Sequence, residues 1–138
     1  MKRVYTCFCT DIIHAGHRNL LRAAADLGEV TVGVLSDAEM VRYNRFPTKT
    51  LAERMEMIRA LPEVAEVVVQ EHIMYDEILD RLRPDYVVHG SNWAQGPESS
   101  IRKNVCVCLA RYGGQLVEPP YTDSADVRNI DWRMREQL

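Results

Sequence analysis

Short apolar runs alternate with amphipathic segments along this chain. The runs over 3–9, 30–35 and 64–69 are rich in β-branched and aromatic residues, which is the composition of β-strands. Between the first two runs, leucine and alanine residues recur at helical spacing from His17 onward, and Gly28 supplies a stop signal. The chain is therefore predicted to open as strand, helix and strand.

The same alternation continues through the second half of the chain. Residues 37–49 predict one helical turn followed by a basic loop, and a T-x-x-E capping box over 50–53 then opens a helix that ends near Pro62. The remaining predicted elements are helices over 75–82 and 98–112, the second closed by Gly113 and Gly114, and strands over 85–89 and 115–118. Parallel strands need crossover helices, so this order predicts an α/β fold, a single Rossmann-like, doubly wound domain with a five-stranded parallel sheet.

The composition is that of a folded globular domain. The chain has 138 residues, of which 46% are hydrophobic and 27% charged, and these values exclude a disordered or low-complexity chain. We expect one domain over 1–138, with 120–138 as a C-terminal tail in which Ile130 and Met134 share one face of a short helix.

Charge and hydropathy narrow the range of partners. Lys and Arg number 17 against 20 Asp and Glu, which gives a net charge of −3 and argues against a nucleic-acid partner. No apolar run approaches the ~18–20 residues that cross a bilayer. The N-terminus also lacks the pattern of a signal peptide, so a cytoplasmic location without membrane contact is expected.

Four cysteines occur as two C-x-C pairs, Cys7 with Cys9 and Cys106 with Cys108. This spacing seldom closes a disulfide and differs from the usual spacing of zinc ligands. Packing in the interior is therefore the main expectation for these residues. A redox or metal role built on the four thiols is the minor alternative.

The segment after the first strand carries the most informative polar residues. It reads T-D-I-I-H-A-G-H over 10–17, and ligands of open α/β sheets bind at the carboxyl ends of the strands. A helix N-terminus there favours a phosphate, Gly16 allows close approach to the backbone, and His14 and His17 add donors that stabilise charge on phosphorus. This arrangement, with Asp11 beside it, suits nucleotidyl transfer.

The H-A-G-H run at 14–17 resembles the signature of the HxGH nucleotidyltransferase superfamily, and in particular its cytidylyltransferase-like members, such as the glycerol-3-phosphate cytidylyltransferases. The run P-D-Y-V-V-H-G-S-N-W over 84–93 is similar to the V-H-G-D-D-W of the branch that cytidylylates phosphonates. Phe8 stands where the superfamily has glycine, and Ser91 and Asn92 replace two acidic residues. The resemblance implies a HUP-type nucleotidyltransferase fold and a homodimer.

The resemblance also implies roles for individual residues. His14, His17 and Arg54 are expected to be catalytic, with the imidazoles on the triphosphate and Arg54 near the acceptor or the phosphates, and Asp11 is expected to help place Mg²⁺. The expected nucleotide-binding residues are Cys9, Thr10, Asp11, Gly16, His89, Gly90, Asn92, Trp93, Tyr121, Thr122 and Ser124. The expected phosphate- or acceptor-binding residues are Arg42, Arg45, Lys49 and Arg128.

Each of these roles has a structural alternative. A solvated surface is the alternative for the three basic residues of the loop, because single exposed charges are common. For Trp93 the alternative is packing in the core, and for Arg54 it is a contact along the surface of its own helix. For His14 and His17 the alternative is an ordinary capping or packing role.

The segment after the fifth strand departs from the family pattern. Family members carry R/Y-T-x-G-I-S-[ST]-T there, whereas this chain reads Y-T-D-S-A-D-V-R over 121–128. Asp123 and Asp126 oppose a bound triphosphate by like-charge repulsion unless Mg²⁺ or Arg128 compensates. The segment is either rebuilt around an unusual acceptor or impaired in turnover.

The expected function is CTP-dependent transfer of CMP to a small phosphonate, such as phosphonoformate or 2-hydroxyethylphosphonate, in the biosynthesis of a phosphonate antibiotic. Mg²⁺ is the expected cofactor. Because such an acceptor is already an anion, positioning and charge neutralisation suffice and no strong general base is needed. The alternatives are glycerol 3-phosphate as the acceptor, an ATP-using adenylyltransferase of the same superfamily, and a nucleotide-binding subunit without catalytic activity.

Overall fold

Five parallel strands form the centre of the structure, a computed structural model that describes residues 1–43, 45–93 and 98–120. The elements follow one another as β1 (Arg3–Phe8), α1 (Ala15–Leu27), β2 (Glu29–Leu35), α2 (Asp37–Arg42), α3 (Leu51–Arg59), β3 (Glu66–Gln70), α4 (Asp76–Leu82), β4 (Tyr86–Val88), a short 3-10 helix (Ser91–Trp93), α5 (Ser99–Ala110) and β5 (Gln115–Val117). This order confirms the predicted α/β class.

The strands lie in the order β3-β2-β1-β4-β5, and every neighbouring pair is parallel. The chain therefore builds outward from β1 through β2 to β3, and then returns to the other side of β1 for β4 and β5. The strand order therefore reverses between β1 and β4, and doubly wound sheets bind ligands at the carboxyl ends of the strands at such a point.

Helices cover both faces of the sheet. On one face α1 and α3 contribute Leu21 and Ile58 to a core that includes the valines of β2. On the other face α4 and α5 contribute Leu79 and Val105 to a second core that includes Val87 of β4. Successive strand side chains face opposite sides of a sheet, and β1, β3, β4 and β5 each supply residues to both cores.

The side chain of Tyr5 extends from β1 across β2 to the end of β3. The hydroxyl of Tyr5 on β1 donates to Oε1 of Gln70, at the end of β3, at 2.5 Å. The path passes over Gly33 of β2, where a Cβ atom would lie 1.8 Å from the Tyr5 hydroxyl oxygen. Glycine at position 33 is therefore required by close approach.

Two elements start two residues away from their predicted positions. Helix α1 starts at Ala15 rather than His17, because His14 caps it. Strand β3 starts at Glu66 rather than Val64, because the N–H of Val64 closes a turn onto the carbonyl of Leu61.

Among the described residues, no helix combines the length and the apolarity needed to span a bilayer.

Three other expectations are not tested by the described residues. The helical tail over 120–138 falls on 121–138, which are outside the described residues. The single domain over 1–138 and the homodimer stay predictions.

Candidate active site

Helix α1 begins with a cap made by two histidines. Nδ1 of His14 accepts a hydrogen bond from the N–H of Gly16 at 3.0 Å, and Nδ1 of His17 accepts one from the N–H of His14 at 3.1 Å. The two imidazole rings stack with centroids 3.9 Å apart, and the Phe8 ring contacts His17 with centroids 4.8 Å apart. The phenyl ring at position 8 therefore helps to hold the pair.

This cap determines which nitrogen of each ring is the donor. A backbone N–H can only donate, so each accepting Nδ1 carries a lone pair, and the proton of the neutral ring lies on Nε2. His14 and His17 are thus both Nε2–H donors at the N-terminus of α1. The positive end of the helix dipole lies at the same place, so the site favours an anion.

Asp11 follows β1 and is almost completely buried, with 2% of its surface exposed. Its Oδ2 accepts from both the N–H and the hydroxyl of Thr48, each at 2.5 Å. Burial alone raises the pKa of Asp11, but the hydrogen bonds from Thr48 and from the N–H of Lys49 outweigh it and hold this pKa below its usual value. The carboxylate is therefore charged at neutral pH.

The other oxygen of Asp11 bears on a metal role. Oδ1 is buried and has no hydrogen-bond partner among the described residues. No group of three or more His, Cys, Asp or Glu side chains within that same part of the chain could hold a metal ion alone. Mg²⁺ that accompanies nucleotide phosphates needs only one or two carboxylates, since water and phosphate oxygens complete its shell. One charged carboxylate with an unpaired oxygen fits that requirement.

The end of β4 carries a second group of side chains, His89 and Trp93. Their rings stack at 3.6 Å with an angle of 4° between the planes. Nδ1 of His89 donates to the carbonyl of Gly90 at 2.8 Å, which leaves Nε2 as an acceptor in the neutral ring. Burial lowers the pKa of His89, so the ring is neutral at physiological pH and has the opposite tautomer to His14 and His17.

Trp93 is buried, with 1% of its surface exposed. Its indole N–H donates to Oε2 of Glu118, just beyond β5, at 2.8 Å. Arg102 of α5 binds the same carboxylate with two hydrogen bonds of 2.9 and 2.8 Å, and these hold the pKa of Glu118 below its usual value. Trp93 therefore packs in the core, and its buried indole ring stacks against the ring of His89.

Arg54 is completely buried in α3. One guanidinium nitrogen donates to the carbonyl of Leu35 at 2.9 Å, and another forms an ion pair with Asp37. These contacts attach α3 to the end of β2 and to the start of α2. The catalytic role expected for Arg54 stays a prediction, and its contacts within the described chain are structural.

The three basic residues between α2 and α3 occupy different environments. Arg42 is exposed and pairs with Glu39 of its own helix at 3.2 Å. Arg45 is mostly buried and lies 3.8 Å from Glu98, before α5. Lys49 is exposed beside Thr48. The structure thus brings Lys49 next to the residue that holds Asp11 and does not join the three cations in one patch.

The smaller predicted binding residues lie around the same strand ends. Thr10 uses its hydroxyl in a local turn with the N–H and the carbonyl of Ile12. Cys9 is half-buried and packs against Leu35 and Met40. Gly16 lies in the first turn of α1, and Gly90 follows His89 after the end of β4.

Five predicted site residues cannot be assigned contacts. The side chain of Asn92 is outside the described part of the structure. The other four residues lie within 121–138, which the structure does not describe. These four are Tyr121, Thr122, Ser124 and Arg128.

The four cysteines are free thiols. Cys7 and Cys108 pack in the second core, and burial raises the pKa of both thiols. Cys106 is exposed on α5. High pKa values make the buried thiols poor nucleophiles and poor metal ligands.

Three residues that hold the site together were not among the predicted site residues. Thr48 fixes Asp11, Phe8 contacts His17, and Glu118 binds Trp93. Only Glu118 had a usable signal, because an acidic residue at the end of a strand lies at the functional edge. The partners of Thr48 and Phe8 depend on contacts that the order of residues does not reveal.

Comparisons with known proteins agree with this geometry. A model of a family described as cytidylyltransferase-like matches residues 5–121. Ethanolamine-phosphate cytidylyltransferase from Arabidopsis thaliana is 32% identical over 139 residues, which cover 96% of this chain and 32% of that protein. The bifunctional protein HldE from Streptomyces coelicolor is 36% identical over 120 residues, which cover 83% of this chain and 24% of that protein. The chain thus spans about a quarter to a third of these relatives.

Two solved structures share the fold. A lipopolysaccharide core biosynthesis protein from Thermoplasma volcanium superposes with a TM-score of 0.73 at 22% identity, over 89% of this chain and 99% of that one. Pantoate-beta-alanine ligase from Francisella tularensis gives a TM-score of 0.62 at 10% identity, over 90% of this chain and 60% of that one. At such identities the likeness concerns the fold alone.

Proposed function

Because this chain belongs to the cytidylyltransferase-like family, we propose that it transfers CMP from CTP to a small acceptor that carries a phosphate or phosphonate group. Pyrophosphate is the second product. The observation that carries this proposal is the histidine cap of α1, in which both Nδ1 atoms accept from the backbone. Two Nε2–H donors at a helix N-terminus are suited to bind phosphate oxygens whose charge increases during the reaction.

The reaction is a single in-line displacement. An acceptor oxygen forms a bond to the α-phosphorus of CTP, and the bond between that phosphorus and the oxygen that bridges to the β-phosphorus breaks. The electron pair leaves with pyrophosphate. His14 and His17 donate hydrogen bonds to the α- and β-phosphate oxygens and neutralise charge in the transition state. The acceptor is already an anion, so positioning and charge neutralisation account for catalysis.

Asp11 is the residue that would hold Mg²⁺, through its unpaired Oδ1. The ion would supply positive charge for the triphosphate and the leaving pyrophosphate. Asp11 itself stays ionised, because its hydrogen bonds to Thr48 and Lys49 lower its pKa. It therefore carries the negative charge that a cation needs at neutral pH.

We assign the nucleoside side of the site to the end of β4. His89 offers an acceptor at Nε2, and the stacked, hydrogen-bonded Trp93 prevents its ring from turning. An acceptor in this place suits a base with an exocyclic amino group, which cytosine, adenine and guanine carry and uracil lacks. The Trp93 side chain acts through His89, because its own surface is buried.

The acceptor is proposed to be small and strongly anionic. The phosphonate branch is favoured by the V-H-G-x-x-W run over 88–93, and the neutral Ser91 distinguishes this chain from the acidic version of that run. The relatives named ethanolamine-phosphate cytidylyltransferase make phosphoethanolamine the natural competitor. Both acceptor classes present the same attacking group, an oxygen bound to phosphorus.

The test is a matrix of nucleotides and acceptors. The chain is incubated with Mg²⁺, one of the four nucleoside triphosphates and one of five acceptors, and pyrophosphate release and product mass are recorded. The acceptors are phosphonoformate, 2-hydroxyethylphosphonate, 2-aminoethylphosphonate, glycerol 3-phosphate and phosphoethanolamine. A CMP adduct formed only with CTP supports the proposal and names the acceptor.

Other outcomes overturn it in distinguishable ways. An AMP adduct formed with ATP moves the chain to the adenylyltransferases. CTP binding without any adduct favours a nucleotide-binding subunit without catalytic activity. A wild-type adduct that also forms undiminished with His14→Ala and His17→Ala variants removes the histidines from the mechanism.

A further inference from the structure

Thr48 lies in the connector between α2 and α3 and binds Asp11, which follows β1. Thr48 is exposed, yet both its N–H and its hydroxyl donate to Oδ2 of the buried Asp11. Two donors from one residue on one carboxylate oxygen prevent the carboxylate from rotating and from exchanging its oxygens. The other oxygen, Oδ1, is thereby kept in a single position.

The described residues do not explain why Oδ1 of Asp11 is buried. Oδ1 is buried and has no hydrogen-bond partner among them. A buried, charged oxygen without a partner is costly, whereas an exposed carboxylate would avoid this cost. The arrangement is understandable if Oδ1 receives a cation when substrate binds.

We propose that Thr48 is a positioning residue, which fixes the Asp11 carboxylate so that Oδ1 faces the divalent cation that accompanies the nucleotide phosphates. This inference rests on the function proposed above. Thr48 does not touch the substrate or the cation and acts through Asp11 alone.

Thr48 has no other structural task in the described chain. Helix α3 is capped by Thr50 and Glu53, whose side chains bond each other's backbone N–H groups. Arg45 attaches the same connector to Glu98, with 3.8 Å between the charged atoms. Loss of the Thr48 hydroxyl therefore alters the orientation of Asp11 and leaves the neighbouring elements in place.

The experiment measures cation binding directly. Thr48→Val removes the hydroxyl donor with little change in shape, Thr48→Ser keeps it, and Thr50→Val removes a hydroxyl two residues away that caps α3. Free Mn²⁺ is followed by electron paramagnetic resonance during titration into each variant with CTP present. The Mg²⁺ concentration that gives half-maximal CMP transfer is measured in parallel.

Thr48→Val is expected to weaken Mn²⁺ binding by about 10- to 100-fold, the usual effect of losing a residue that orients a metal ligand. Thr48→Ser should remain within about threefold of wild type, which is well below that effect. Thr50→Val should lower the melting temperature and leave Mn²⁺ affinity unchanged. Thr48→Val added to Asp11→Asn should cause no further loss of affinity, because the residue it acts through is already changed.

Equal Mn²⁺ affinity in wild type and Thr48→Val overturns the inference, as does a full further loss in the Asp11→Asn background. If CMP adducts still form in that case, the proposed function stands while the role of Thr48 falls. If wild type forms no adduct with any acceptor, the proposed function falls, and the Mn²⁺ titrations still decide on Thr48.

Discussion

Replacing His14 by two different residues separates its structural role from its proposed catalytic role. The ring performs two tasks with two atoms: Nδ1 accepts from the N–H of Gly16 at 3.0 Å, and Nε2 is proposed to donate to a phosphate oxygen. Alanine removes both functions. Asparagine keeps an acceptor for the helix cap, since it is among the best N-cap residues, and lacks a donor at the distance of Nε2.

The cap sets the expected change in stability. Loss of an N-cap acceptor costs about 1 kcal/mol, which lowers the melting temperature of a chain of this size by roughly 3–5 °C. His14→Ala should show this decrease. His14→Asn should recover most of it, and the part it does not recover measures the ring stacking on His17, whose centroid lies 3.9 Å away.

The donor sets the expected change in activity. Removal of one donor to a developing oxyanion costs about 10²–10³ in kcat, or about 2.7–4 kcal/mol of transition-state stabilisation. Both variants should lose this much CMP transfer, measured as pyrophosphate release at saturating CTP, although their stabilities differ. A His14→Asn variant with nearly full activity would refute the proposed donor role, and a His14→Ala variant as stable as wild type would refute the cap.

Three further predictions concern the framework of the site. Gly33→Ala should destabilise the fold by about 1–3 kcal/mol in urea titrations, because its Cβ would meet the Tyr5 hydroxyl at 1.8 Å, and Tyr5→Phe should relieve part of that loss. Glu118→Ala should lower the free energy of unfolding by about 1–3 kcal/mol, since it leaves the indole N–H of Trp93 buried without an acceptor. Glu118→Gln keeps an acceptor and should lower the free energy of unfolding by less than about 1 kcal/mol. Equal losses in the two variants would contradict this. Burial raises the pKa of Tyr112 to about 12. The contribution of Tyr112 to stability is therefore complete below the usual phenol pKa and declines as the pH rises towards 12. Titration at 295 nm of wild type against Tyr112→Phe should show this late ionisation.

Much of the fold was predictable because its signals are local. The alternation of apolar runs with helical spacing indicates five strands and their crossover helices, and the structure has these elements within a few residues of the predicted bounds. The candidate site was partly predictable for the same reason, since Asp11, His14 and His17 follow directly after β1. A strand end in a parallel sheet is a functional position whatever the remaining chain does.

The contacts that determine the chemistry were not predictable in this way. Capping was the alternative role for His14 and His17, but which nitrogen of each ring accepts, and therefore the tautomer of each ring, is decided by the reciprocal cap of the folded structure. Arg54 was expected near the phosphates, and its burial against the end of β2 follows from the packing of α3 on the sheet.

The sequence by itself determined the strand and helix order, the α/β class and the edge of the sheet that carries the site. These depend on periodicity and on residues next to one another in the chain. Only the tertiary structure decided that Thr48 holds Asp11 across 37 positions and that Glu118 holds Trp93 across 25. Such pairs form because the fold brings together connecting segments that lie far apart in the sequence, and the order of residues does not say which side chains then meet.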